Sequence, residues 1–345
     1  MIIFIYITLI IFLCFAWKYK GIKDYGYNVH IFNFFLLLYF ILFVTFRDGN
    51  LLPDYSEYIE MFYNPEVRSV EQSFIIISDL SKAFSLGLFG MFFIYAFISI
   101  SIRYYAIYKY SPFFLFSLCI WISSFLILHD MIQIRGAVSS ALMLIIIPLL
   151  YKKKYIKSFI LIILAFFFHR SALCLFAIFF LKPDRINKKM WISFYLIAIV
   201  INITFSDIIS SLGINELLSM IKLIENDGYD LGKTSETLSM FGPYILLQSI
   251  TYIFCLIKID KIIPHYPQAI LCIKIGLLSV IIYSLPLGVV SLRIAELLST
   301  IYIYAFPLLL YVLPQQNNRF VGKLTLSLIS ISLLTYFVFI KEFIA

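Results

Sequence analysis

Long apolar runs broken by short polar segments recur along the whole chain, and their length predicts helices rather than alternating strands. They fall at about 2–17, 29–46, 86–108, 112–128, 136–151, 190–204, 243–257, 268–287, 297–313 and 324–340. Two shorter runs flank a polar break at 169–170, which makes twelve helices. A crossing helix needs about 20 apolar residues. The pattern therefore predicts an all-α polytopic integral membrane protein of about 12 transmembrane or re-entrant helices, a single membrane domain over residues 1–345. The run at 2–17 lacks a basic start and a small-residue cleavage site, so it reads as a retained first helix and not as a signal peptide.

The break matters most within 158–181, SFILIILAFFFHRSALCLFAIFFL, which is apolar except for His169 and Arg170 near its middle. A single crossing would leave both near the bilayer midplane, where a charge costs roughly 3 kcal/mol even on the lenient insertion scale. It would also place four basic residues on each side, Lys152, Lys153, Lys154 and Lys157 before it and Lys182, Arg185, Lys188 and Lys189 after it. The positive-inside rule places both clusters in the cytoplasm. The expectation is a helical hairpin of two eleven-residue arms, each about 16 Å long, whose His-Arg tip points outward and stops below the outer headgroups.

Composition agrees with the bilayer reading: 62% of residues are hydrophobic and the mean hydropathy is +0.98. The five cysteines lie far apart in apolar segments with no C-x-x-C pair, so they read as packing residues. The net charge of +8 does not indicate nucleic acid, because the basic residues alternate with the membrane. With the N-terminus outside, seventeen Lys or Arg, Arg103 among them, fall on the cytoplasmic side, beside only three acids, Asp24, Asp184 and Asp260.

Five of the nine basic residues left for the outer side are arginines: Arg47, Arg68, Arg135, Arg170 and Arg293. The guanidinium is a planar, permanently charged fork that matches phosphate. Each could instead be an interfacial anchor, but four beside apolar runs on one face point to an anion site. The outer loop 47–72 contains PDYSEYIEMF, in which Asp54 and Glu57 have capping-box spacing and Tyr55, Tyr58, Ile59 and Phe62 form an aromatic stripe. This predicts a surface helix whose tyrosines either belong to an interfacial belt or stack on sugar rings. His129, Asp130, Gln133 and Arg135 read as a short polar link between two helices, too polar for a packed core, with His129 and Gln133 on one face. The long outer loop 205–242 should carry a second surface helix with Leu217, Leu218, Ile221 and Ile224 on its apolar side. Pro286 and Gly288 break the tenth run before SLRIAE, as in helices that line a cavity.

The order of these motifs, FR…PDYSEY, EQSF, QIRGAVSSAL, FFFHRSAL and a late SLRIAE, resembles that of the EpsG-like branch of the Wzy oligosaccharide repeat-unit (O-antigen) polymerases, from about Arg47 to Arg293. One departure is Gly136, where many relatives have glutamine after the arginine. The resemblance implies a GT-C-like glycosyltransferase of the bacterial inner membrane, working at the periplasmic face. It would move a glycan from one undecaprenyl diphosphate onto another undecaprenyl-linked repeat unit. Arg47, Arg135, Arg293 and Arg170 would hold the departing diphosphate. His169, and less directly Asp54 and Glu71, would serve the chemistry at the acceptor hydroxyl, while Tyr55, Tyr58, Gln133 and His129 would meet the sugars. No metal or cofactor is expected, since no D-x-D pair or His-rich cluster lies on the outer side. The partners implied are the lipid-linked oligosaccharide as donor and acceptor, the bilayer, a chain-length regulator and a flippase, with no nucleic acid. An O-antigen ligase would share the donor site but usually carries a larger late outer domain. A flippase would spread charges through the bilayer in inverted repeats, which this sequence lacks.

Overall fold

The computed structural model describes residues 1–18, 29–49, 52–65, 70–211, 242–285, 289–312 and 316–340. Arg68, the surface helix expected at 217–224 and the break at Pro286 and Gly288 lie outside the described residues. Every described element is helical, with no strand among the described residues. Among the described residues, five helical spans are long and apolar enough to cross a membrane: Gly87–Tyr110, Phe114–Ile132, Ile134–Tyr151, Ser291–Val312 and Phe320–Ile340. Six shorter apolar helices accompany them. Large apolar side chains remain exposed along them, such as Ile156, Ile160 and Ile163, or Ile3, Phe4 and Ile10. An apolar exterior of this extent suits hydrocarbon and not water.

The chain packs as two compact units, residues 1–145 with 313–345, and residues 146–312. In the first, α1 (Ile2–Lys18), α2 (Val29–Thr45), α3 (Tyr55–Tyr63), α4 (Gln72–Ala83) and α5 (Gly87–Tyr110) precede α6 (Phe114–Ile120). The last continues directly as a π-helix, Trp121–Ile132, and α7 (Ile134–Tyr151) follows after Gln133 alone. All of 114–132 is buried. A helix that is apolar on every side belongs in the middle of a bundle. Trp121 anchors it, with its ring 4.7 Å from that of Phe40 on α2. The C-terminal helix Gln316–Thr335 closes the unit against α1, where Trp17 donates to Ser327 at 2.9 Å and Lys323 donates to the Trp17 carbonyl at 2.7 Å.

In the second unit, α8 (Tyr155–Phe168) and a 3-10 helix (Arg170–Phe180) stand on either side of His169, whose backbone is extended. Ring pairs Tyr155–Phe179 at 6.3 Å and Phe159–Phe176 at 5.5 Å show that the two arms run antiparallel. Neither arm has the length expected from the sequence. The fourteen residues of α8 span about 21 Å at 1.5 Å each, and eleven residues of 3-10 helix span about 22 Å at 2.0 Å each. The tighter winding lets the shorter arm match the longer one. The 3-10 arm packs on α12 (Val289–Ser299), which lies along α11 (Ala269–Tyr283), while α9 (Lys188–Ser211) and α10 (Pro243–Ile257) also flank α11. Lys274, in an apolar run, donates to the backbone carbonyls of Lys182 and Arg185 and so ties down the segment that leaves the 3-10 arm.

Candidate functional site

Helix α3 starts after Pro53 with Asp54 as its N-cap residue, but the Asp54 side chain makes no capping hydrogen bond, so the capping box is not formed. The helix buries Tyr58, Met61 and Phe62, while Tyr55 and Ile59 are half-buried. Tyr55 stacks on Phe92 of α5 with 5.3 Å between rings; Tyr58 lies 6.2 Å from both Phe74 of α4 and Phe92. Both tyrosine rings thus rest on other aromatics beneath α3. Gly49 permits this, because a Cβ there would stand 2.2 Å from the Tyr55 ring.

Arg47 lies under this aromatic layer and is only 8% exposed. Its guanidinium carbon is 3.9 Å from the centre of the Phe92 ring. Nη1 donates to the carbonyls of Asp130 at 3.2 Å and Met131 at 2.7 Å. A π-helix bonds each N–H to a carbonyl five residues back, so its last carbonyls have no partner inside the helix; Arg47 caps two of them. The opposite edge, Nε and Nη2, is buried and has no hydrogen-bond partner among the described residues. Burial lowers the Arg47 pKa to about 10, opposed in part by Tyr58, Tyr55 and Asp130, so the group stays charged at neutral pH. An unpaired buried N–H of a charged group is costly. The unpaired Nε–Nη2 edge has the geometry that carboxylate or phosphate oxygens fit in pairs.

Arg135, in the first turn of α7, forms an ion pair with Glu71. Glu71 stands at the N-cap of α4 but makes no capping bond with its side chain. The Arg135 guanidinium also lies 5.9 Å from the Tyr58 ring and 6.0 Å from that of Phe74. Burial pushes the Tyr58 hydroxyl up to about 12, with Arg135 acting in the opposite direction, so it is a neutral phenol at any physiological pH.

The polar segment before Arg135 departs from the sequence expectation. Residues 121–132 stay helical to the end, and His129 and Asp130 are each only 2% exposed. They belong to the packed core rather than to a polar link. Asp130 can be buried because its charge is matched: Arg103 Nε lies 3.2 Å from its Oδ2, and Trp121 Nε1 donates to the same oxygen at 2.8 Å. Arg103 is itself fully buried. No sequence signal marked it, because a lone arginine near the end of an apolar run reads as an interfacial anchor. His129 stacks on Phe125 at 5.6 Å, and its Nδ1 lies 3.2 Å from Gln133 Oε1.

Arg47, Asp54, Tyr55, Tyr58, Glu71, His129, Gln133 and Arg135 all lie in the first unit. His169, Arg170 and Arg293 lie in the second, all half-buried, with Arg293 on α12 against which the 3-10 arm begun by Arg170 packs. The first unit thus offers a buried cation whose Nε–Nη2 edge has no partner among the described residues, a second arginine engaged by a carboxylate, and a neutral phenol beside them. Such a group can receive an anionic oxygen cluster and stabilise charge that grows on it. Among known proteins, the profile of the EpsG family matches residues 30–345. No curated protein and no solved structure matches the chain.

Proposed function

The chain belongs to the EpsG family, membrane proteins connected with glycosyl transfer in polysaccharide biosynthesis, and from that premise we propose that it is an oligosaccharide repeat-unit polymerase. It would act at the periplasmic face of the bacterial inner membrane, with the twelve crossing or re-entrant helices of a GT-C-like enzyme. The donor is an oligosaccharide on undecaprenyl diphosphate, and the acceptor is a second lipid-linked unit. The acceptor hydroxyl oxygen attacks the anomeric carbon of the donor, and the bond from that carbon to the diphosphate oxygen breaks. The electron pair of that bond leaves with the diphosphate, and the hydroxyl proton passes to a base, for which His169, Glu71 and Asp54 are the candidates.

The observation that supports this reading is the buried Nε–Nη2 edge of Arg47, which has no partner among the described residues. A fixed cation facing an incoming diphosphate stabilises the leaving group more as its charge develops, which is what accelerates the step. Arg135 would add a second contact once Glu71 yields it, and Arg170 and Arg293 of the second unit are further candidates for diphosphate binding. No step in this scheme uses a metal. The test is Arg47→Lys, which keeps the charge and removes the fork. The expected result is normal protein in the membrane with surface chains reduced to one or a few repeats. Wild-type chain length in this variant would remove Arg47 from the site.

A further inference from the structure

We propose that Arg103 and Asp130, two residues buried below the candidate site, are positioning residues that set the anion edge of Arg47 through the π-helix. The inference rests on the reading of Arg47 as a diphosphate ligand. Arg47 is oriented by the carbonyls of Asp130 and Met131. These carbonyls lie in the last turn of residues 121–132, which are wound with bonds five residues back, down to the closing bond from Gln133 N to Leu128 O at 3.1 Å. An α-helix ending at the same residue would also leave its last carbonyls free, but turned to other directions, because each residue rotates by a different angle at α pitch; the π winding therefore sets where the two carbonyls point.

The side chains of the same segment favour that winding. Trp121 and Asp130 are nine residues apart and joined by a 2.8 Å hydrogen bond. An α-helix has about 3.6 residues per turn, and bonds to the fifth residue widen this to roughly 4.4. Nine residues then make close to two full turns, so the two side chains share a face. At α pitch they would make two and a half turns and point opposite ways. The Trp121–Asp130 bond therefore exists only in the π form.

Arg103 then fixes the corner that follows. From α5 its Nε reaches Asp130 at 3.2 Å, while its Nη2 donates to the Ala137 carbonyl at 3.1 Å and to Ser140 Oγ at 2.7 Å in α7. One planar fork thus holds the chain on both sides of Gln133, the single non-helical residue between the two helices. Both candidate anion arginines of this unit are referenced to that corner: Arg47 through the carbonyls at 130 and 131, and Arg135 through its place in the first turn of α7. A ligand group held to within about half an ångström needs a supporting shell of this kind.

The test uses inorganic pyrophosphate as the probe on the full chain in detergent, with calorimetric affinity and thermal melting measured together. Arg103→Lys keeps a charge beside Asp130 but cannot span the corner. The triple variant Trp121→Phe, Arg103→Met, Asp130→Leu replaces the network with apolar side chains, which buried ion networks often tolerate. Both are expected to lose about tenfold in pyrophosphate affinity, within the usual range of coupling between linked sites, while the triple variant melts near the wild-type temperature. In a second measurement on an otherwise native network, Trp17→Phe and Trp191→Phe leave Trp121 as the sole tryptophan, and its emission should change when pyrophosphate binds. Variants that melt and bind as wild type, or a silent Trp121 in protein that binds pyrophosphate, would overturn the positioning role and leave the proposed function standing. Wild-type protein that shows no pyrophosphate binding would overturn the diphosphate reading and this inference with it.

Discussion

In Glu71→Gln the carboxylate that meets Arg135 becomes an amide of the same shape, so packing is kept and one charge is removed. The pair is largely shielded from solvent, with side-chain exposures of 11% for Arg135 and 6% for Glu71. The amide oxygen still accepts from the charged Arg135, and a move from the upper toward the lower end of the roughly 1.5–3 kcal/mol range for such bonds puts the loss in stability at about 1–2 kcal/mol. The effect on an anion has the opposite sign. A carboxylate about 6 Å from a bound phosphate opposes it by about 3 kcal/mol at an effective dielectric constant of about 20. Solvent and salt at the open edge of the pair should leave roughly half of this, which corresponds to about tenfold tighter binding. Thermal melting and pyrophosphate titration of the purified variant read the two quantities separately. The expected outcome is a lower melting temperature with tighter pyrophosphate binding. A variant that melts lower and binds more weakly would show that Glu71 builds the anion site instead of competing for Arg135, and the reasoning would fail.

Other expectations follow from the same geometry. Asp130→Ala leaves Arg103 buried without its carboxylate and should cost about 3–5 kcal/mol, read as a lower denaturation midpoint in detergent. A Cβ at Gly276 would stand 2.2 Å from the fully buried Tyr252 ring, so Gly276→Ala should destabilise its unit by about 1–3 kcal/mol. The second change Tyr252→Leu should recover part of that loss in the same melting assay. A reporter fused after Lys189 should show cytoplasmic activity, and a periplasmic signal would contradict two hairpin arms entering from one side.

The helices were legible because long apolar runs leave the backbone few other choices in a bilayer. The family was legible in the order of short motifs, FR, PDYSEY, EQSF, QIRGAVSSAL, FFFHRSAL and SLRIAE, and the family match covers all of them. The interior of the first unit was not legible. WISSFLILHDMI carries the same periodicity whether it bonds four or five residues back, so its π winding depends on partners distant in sequence. Arg103 and Asp130 are twenty-seven positions apart, and each alone resembles a residue near a helix end. Their pairing explains why so polar a segment is buried. The 3-10 arm is similar: nothing in RSALCLFAIFF separates it from an α-helix, and its winding matches the length of the arm beside it. Arg47 could be named as a phosphate candidate from its neighbours, but its split role, with one corner capping a helix and one edge open, required coordinates.

Joining repeat units into long polysaccharide is read most directly from the ladder of surface polysaccharide on a gel from the host strain with and without the gene. Deletion should collapse the ladder to a single repeat on its acceptor, and restoring the wild-type gene should bring the long chains back. An unchanged ladder would contradict polymerisation. So would the accumulation of lipid-linked polymer with no repeat transferred, which is the behaviour of a ligase.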